Sequence, residues 1–114
     1  MRHLKNKKIG KGRNHARKLV RALAASAIVY EKIQTTEARA KIARQLVEKL
    51  ITKAKKEDLH NKRQIFSALP DNAARKVIEV LGKRYKERKG GYTRIIRLGK
   101  SKDGMPKVQL ELVD

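Results

Sequence analysis

The chain has 114 residues, a formal charge of +20 and no cysteine. That length suits one domain burying roughly two-thirds of its unfolded surface. The missing cysteines exclude a disulfide framework, a thiolate nucleophile and a Cys-based zinc site. No apolar run approaches membrane-spanning length, and no apolar signal segment follows the basic start, so a cytoplasmic address is expected.

The charge comes from 31 Lys and Arg against 11 Asp and Glu. A compact domain so charged repels itself, so its stable state is expected to be a bound one. Nucleic acid is the polyanion that gains affinity from each neutralised phosphate.

Residues 1–13 lack periodicity and read as an extended basic arm, with Arg2, His3, Lys5, Lys7, Lys8 and Lys11 before Arg13. The first acidic residue is Glu31. A single two-layer domain is expected over 14–114. A helix is predicted from about Asn14, with Ala16, Val20, Leu23, Ala27 and Tyr30 on its apolar stripe. Arg13, Arg17 and Arg21 climb another face at i, i+4 spacing, with His15 and Lys18 beside them. Lys32–Thr35 reads as a short strand, and Thr36 as the N-cap of a central helix reaching about Lys56. That helix carries Ala38, Ile42, Leu46, Leu50 and Ala54 four apart, flanked by Ala43, Val47 and Ile51. Lys41, Arg44, Glu48 and Lys55 fall on its solvent side.

Asp58 is expected to cap a third helix ending before Pro70, and Asp71 a fourth with its stripe at Ala74, Val77, Ile78 and Leu81. Gly82 fits the residue that closes it. A second cationic block follows from Lys83 to Lys102, opposed only by Glu87. After Gly90 and Gly91 the period becomes two: Tyr92, Arg94, Ile96 and Leu98 alternate with Thr93, Ile95 and Arg97. Val108, Leu110 and Leu112 repeat the pattern, and the turn-rich 99–106 segment makes a hairpin of the two strands. The fold class is therefore α/β (α+β): helix, strand, three helices and two strands, with the helices on one face of a small mixed sheet.

Catalysis has little support. His3, His15 and His60 stand in basic surroundings without clustered carboxylates, so no metal site, cofactor or small-molecule substrate is expected. Gly10-Lys11-Gly12-Arg13 lacks the phosphate-loop spacing and follows no strand. The arm has no apolar face for lipid, which favours nucleic acid over a membrane surface. Sparse aromatics, arginine-rich helix faces and a basic arm suit folded RNA, whose shape is read more than its base edges. Tyr92 fits either a base-stacking ring or a core tyrosine. Gly90-Gly91, beside Lys89, fits a close approach to phosphate or a turn with positive φ. A DNA-compacting architectural protein is the rival reading.

Several blocks carry a family resemblance: Met1-Arg2-His3, Ile33-Gln34-Thr35-Thr36, the helix pattern from Ala40 through Lys41, Arg44, Val47 and Glu48 to Leu50-Ile51-Thr52, Gly90-Gly91-Tyr92-Thr93-Arg94-Ile95, and Leu110 to Asp114. In this order the chain resembles the bacterial large-subunit ribosomal protein seventeen (L17) family over essentially its whole length. The resemblance implies a non-catalytic large-subunit component, bound to ribosomal RNA on the exit-tunnel side beside other ribosomal proteins. It also implies a two-layer α/β fold. By match to motif it marks Arg2, His3, Arg13, His15, Arg17, Thr35, Thr36, Lys41, Arg44, Gly90, Gly91, Tyr92, Thr93 and Arg94 as RNA-facing or site-shaping. Charge alone adds Lys5, Lys7, Lys8, Lys11, Lys18, Arg21 and Lys89.

Overall fold

A computed structural model describes residues 12–100 and 102–114, with the backbone alone for residues 12–14. The basic arm of residues 1–11 therefore lies outside the described residues. Helix α1 (Gly12–Tyr30) leads into strand β1 (Lys32–Thr36), and the helices α2 (Glu37–Ala54) and α3 (Leu59–Ala68) follow. Helix α4 (Asp71–Lys76) passes without a break into a π-helical turn, Val77–Leu81, and a closing turn, Gly82–Arg84. Strands β2 (Thr93–Lys100) and β3 (Pro106–Leu112) complete the chain, so the expected order of elements holds.

The caps are local chemistry. Thr36 accepts from the Arg39 N–H at 3.4 Å to start α2, and Asp58 accepts from the Asn61 N–H at 3.0 Å to start α3. Asp71 was expected to cap α4, but Pro70 holds that position and Asp71 lies in the first turn, where its charge still meets the positive dipole end. Helix α1 begins at Gly12 rather than Asn14.

The core stripe of α1 is turned from the expected one. Ala24, Ala27 and Ile28 are buried, whereas Tyr30 is 72 % exposed. Helix α1 packs against α2, and the shared core takes small residues from both, including Ala40 and Ala43. Alanines permit a close interaxial approach that a tyrosine would prevent. In α2, Ala40, Ala43, Val47, Leu50, Ile51 and Ala54 are buried, and Ala38 is exposed.

The sheet has the order β1-β3-β2 and is antiparallel throughout, not mixed. Strands β1 and β2 run the same way, but β3 lies between them and opposes both. Its inner row, Val108, Leu110 and Leu112, is buried against the helices. The rows Lys32–Glu111–Arg94 and Gln34–Gln109–Ile96 form the outer face, as strand alternation requires. Register shifts between Arg97 and Gly99, so Leu98 marks a bulge on the free edge of β2.

Gly82 does not end its helix. It has φ −58° and is buried, and a Cβ there would lie 3.2 Å from the Ala54 carbonyl oxygen. Its role is close approach to α2 rather than termination. Residues 73, 77, 81 and 85 are buried at a uniform spacing of four, which drifts around a regular helix of 3.6 residues per turn. The wider π turn absorbs that drift.

Candidate nucleic-acid interface

The N-terminal half of α1 and the middle of α2 enclose a groove of about 560 Å³. Its apolar lining is Ala16, Val20, Ile42 and Leu46, and its polar rim is Arg17, Arg21, Gln45 and Lys49. Arg17, Arg21 and Lys49 are exposed, and no carboxylate among the described residues pairs with them. Three cations thus converge on one cleft without internal neutralisation, the arrangement that concentrates positive potential. His15 and Lys18 are exposed on the same helix, and Arg44 is exposed on α2. Lys41 is exposed too, with its ammonium 3.4 Å from Glu37. Sequence reasoning found Arg17 and Arg21 but missed Lys49 and Gln45. Their signal is the spacing 42, 45, 46, 49, in which polar residues share the rim of an apolar helical strip.

The Gly90–Arg94 block is mostly a clasp. Tyr92 is 2 % exposed, so of its two readings the structure selects the core tyrosine. Its ring lies 5.2 Å from that of Tyr85 at 48°. The Tyr92 hydroxyl accepts from Lys55 Nζ at 2.8 Å, and Lys55 also donates to the Arg88 carbonyl. Glu48 Oε2 accepts from the Thr93 N–H at 2.8 Å and the Thr93 hydroxyl at 2.9 Å. Lys55 and Glu48, expected on the solvent face of α2, are instead the two posts to which this block is fastened. A buried backbone N–H and ring hydroxyl need partners, and α2 supplies them. Arg88 Nε donates to the carbonyls of Gly90 and Gly91 at 3.1 Å, and Gly91 adopts φ +64°. Lys89, Gly90 and Gly91 stay exposed.

A second basic surface covers the outer sheet face. Arg94 is exposed, not on the side of the buried Tyr92, and its Nε donates to Glu111 at 2.8 Å. Lys32 shares the row of Arg94 across Glu111, and Lys107 is exposed toward the other end of β3. Thr35 and Thr36 are half-buried and line a recess with Gln34, Arg39, Pro106 and Lys107. Arg2, His3, Lys5, Lys7, Lys8 and Lys11 lie outside the described residues, and of the Arg13 side chain nothing is described.

The carboxylates of the fold explain why so much positive charge stays uncompensated. Glu31 receives Arg84 Nη1 at 2.6 Å and Lys76 Nζ at 2.9 Å. Hydrogen bonds from Arg84 and then Lys76 lower its pKa from the usual 4.5 to about 2. The same contact raises the Arg84 guanidinium, and burial raises the Tyr85 phenol. Glu37 holds Arg97 at 3.1 Å as well as Lys41. Glu31, Glu37, Glu48, Asp58 and Glu111 are thus committed to caps, clasps and ion pairs away from the groove. Among the described residues no group of His, Asp and Glu is placed to hold a metal, and no helix is long and apolar enough to cross a membrane.

The family profile described as "Ribosomal protein L17" matches residues 19–113. The "Large ribosomal subunit protein bL17" of Thermodesulfovibrio yellowstonii is 42 % identical over 117 residues, covering 100 % of this chain and 88 % of the relative. Its counterpart in Caldanaerobacter subterraneus is 43 % identical over 109 residues, covering 94 % and 97 %. That of Carboxydothermus hydrogenoformans is 43 % identical over 108 residues, covering 93 % and 96 %.

Proposed function

Because the chain belongs to the ribosomal protein L17 family, we propose that it binds and scaffolds large-subunit ribosomal RNA on the exit-tunnel side, beside neighbouring ribosomal proteins. Family membership makes it a structural, non-enzymatic constituent of the bacterial large ribosomal subunit in the cytoplasm. The observation that carries the RNA-binding reading is the convergence of Arg17, Arg21 and Lys49 on one groove, with no carboxylate partner among the described residues. Guanidinium forks hold phosphate oxygens in pairs, and an ammonium adds a point charge.

In this reading the α1–α2 groove takes one RNA segment. The outer sheet face, with Lys32, Arg94 and Lys107, takes another, and the rigid domain fixes the distance between them. His15, Lys18, Lys41, Arg44, Lys89, Gly90 and Gly91 extend the contact surface. Thr35 and Thr36 shape the strand-to-helix step, and Tyr92 and Thr93 hold the sheet to α2 without touching RNA. The arm residues Arg2, His3, Lys5, Lys7, Lys8, Lys11 and Arg13 add phosphate contacts between RNA helices. The exit-tunnel location and the protein neighbours rest on family kinship alone.

The test is sedimentation of the tagged protein from lysate, before and after a high-salt wash and after RNase. Co-migration with the large subunit that survives salt and is lost on RNase treatment is the expected result. Migration with the nucleoid would instead favour the DNA-compacting rival.

A further inference from the structure

Phosphate contacts alone do not explain the floor of the α1–α2 groove. A cleft that only tracked a sugar-phosphate backbone would be polar throughout, because phosphates gain nothing from aliphatic surface. Here Ala16, Val20, Ile42 and Leu46 line a recess of about 560 Å³, within the range of clefts that hold small ligands. Arg17, Arg21 and Lys49 surround it, and Gln45 brings one amide donor–acceptor pair to its edge.

Resting on the RNA-binding reading above, we infer that this groove takes an unpaired nucleotide: the base enters the aliphatic recess and its flanking phosphates lie on Arg17, Arg21 and Lys49. The groove supplies both halves of the complementarity. Among the described residues the three cations have no ion-pair partner, and they match the two phosphates that bracket a splayed-out nucleotide. The recess matches the base, whose faces are apolar and whose edge needs hydrogen bonds. No aromatic side chain lines the groove, so an arginine plane supplies the stacking surface, as guanidinium groups do for splayed RNA bases. Gln45 offers both a donor and an acceptor to the base edge. A regular duplex, with its bases stacked inside, would leave the recess uncovered.

The test titrates the full-length protein with an RNA duplex of about 16 base pairs and with the same duplex carrying one unpaired purine. Wild type is expected to bind the bulged RNA about tenfold more tightly, near the lower end of what one stacked base contributes. Ala16→Phe, which fills the recess without changing charge, should reduce that preference to about twofold or less, with the loss falling on the bulged RNA. Gln45→Ala, at an exposed position the fold tolerates, should narrow the preference about threefold if Ala16→Phe disturbs folding. Lys49→Ala should weaken both RNAs alike.

Equal wild-type affinity for the two RNAs, or a preference that survives both Ala16→Phe and Gln45→Ala, overturns the inference. Equal affinity is also the result if the groove takes an acidic peptide. Retained salt-dependent binding to deproteinised large-subunit RNA in that case leaves the RNA-binding reading standing. Loss of all RNA binding removes both.

Discussion

The Glu31 node makes the sharpest prediction about stability. Glu31 ends α1 in the left-handed conformation, φ 65°, and its carboxylate joins Lys76 and Arg84, eight residues apart on one helical rod. On a regular α-helix those two would point about 80° apart; the intervening π turn, Val77–Leu81, brings them to the same carboxylate. The Glu31 carbonyl also accepts from the Leu112 N–H at 2.9 Å, so one residue ties α1, the α4 rod and β3. A pKa lowered from 4.5 to about 2 corresponds at face value to about 3 kcal/mol. Because the side chain is 39 % exposed, solvent screening reduces that to about 1–2 kcal/mol.

Glu31→Gln should therefore lower Tm by about 4–8 °C at neutral pH. The folded carboxylate has the lower pKa, so its stabilisation is full above about pH 4.5 and is lost as pH falls toward about 2. Thermal melts of wild type and Glu31→Gln across that range should converge at the acid end, whatever general repulsion does to both. Glu31→Gly should be about 1 kcal/mol more stable than Glu31→Ala, since glycine accepts positive φ without cost. A stability difference between wild type and Glu31→Gln that stays constant from neutral to acid pH would refute the ion-pair account.

Other predictions follow from the clasp, the close helix contact and the groove. Tyr92→Phe removes the hydroxyl between Lys55 and the Arg88 carbonyl and should cost about 1 kcal/mol in urea melts. Its RNA affinity should stay unchanged. Gly82→Ala gains helix propensity but presses a Cβ to 3.2 Å from a backbone oxygen that cannot rotate away. A net loss of about 1 kcal/mol is expected, against a gain of about 1 kcal/mol if propensity alone mattered. Arg17→Ala should weaken RNA binding and reduce the salt slope by about one phosphate equivalent, with Tm unchanged. Arg94→Ala should weaken it less, because Glu111 already engages that guanidinium.

The sequence by itself determined the elements and the sign of the surface. Period-two runs, the caps at Thr36 and Asp58 and the stop at Pro70 act over a few residues, so local chemistry sets them. The excess of Lys and Arg likewise needed no structure to read. Tertiary packing decided which face each element buries. It kept Ala27 inside but turned α1 toward Ala24 and Ile28 and left Tyr30 outside, because alanine contacts permit close helices. It converted Glu48 and Lys55 from surface charges into the posts that hold Thr93 and Tyr92, residues 45 and 37 positions away. It placed Gly82 in a helix interior and opened a π turn so that Lys76 and Arg84 meet at Glu31. It also added Lys49 to Arg17 and Arg21, a constellation drawn from two helices. Sequence periodicity reports one element at a time, whereas these arrangements depend on the distance and rotation between elements, which only the packed core fixes.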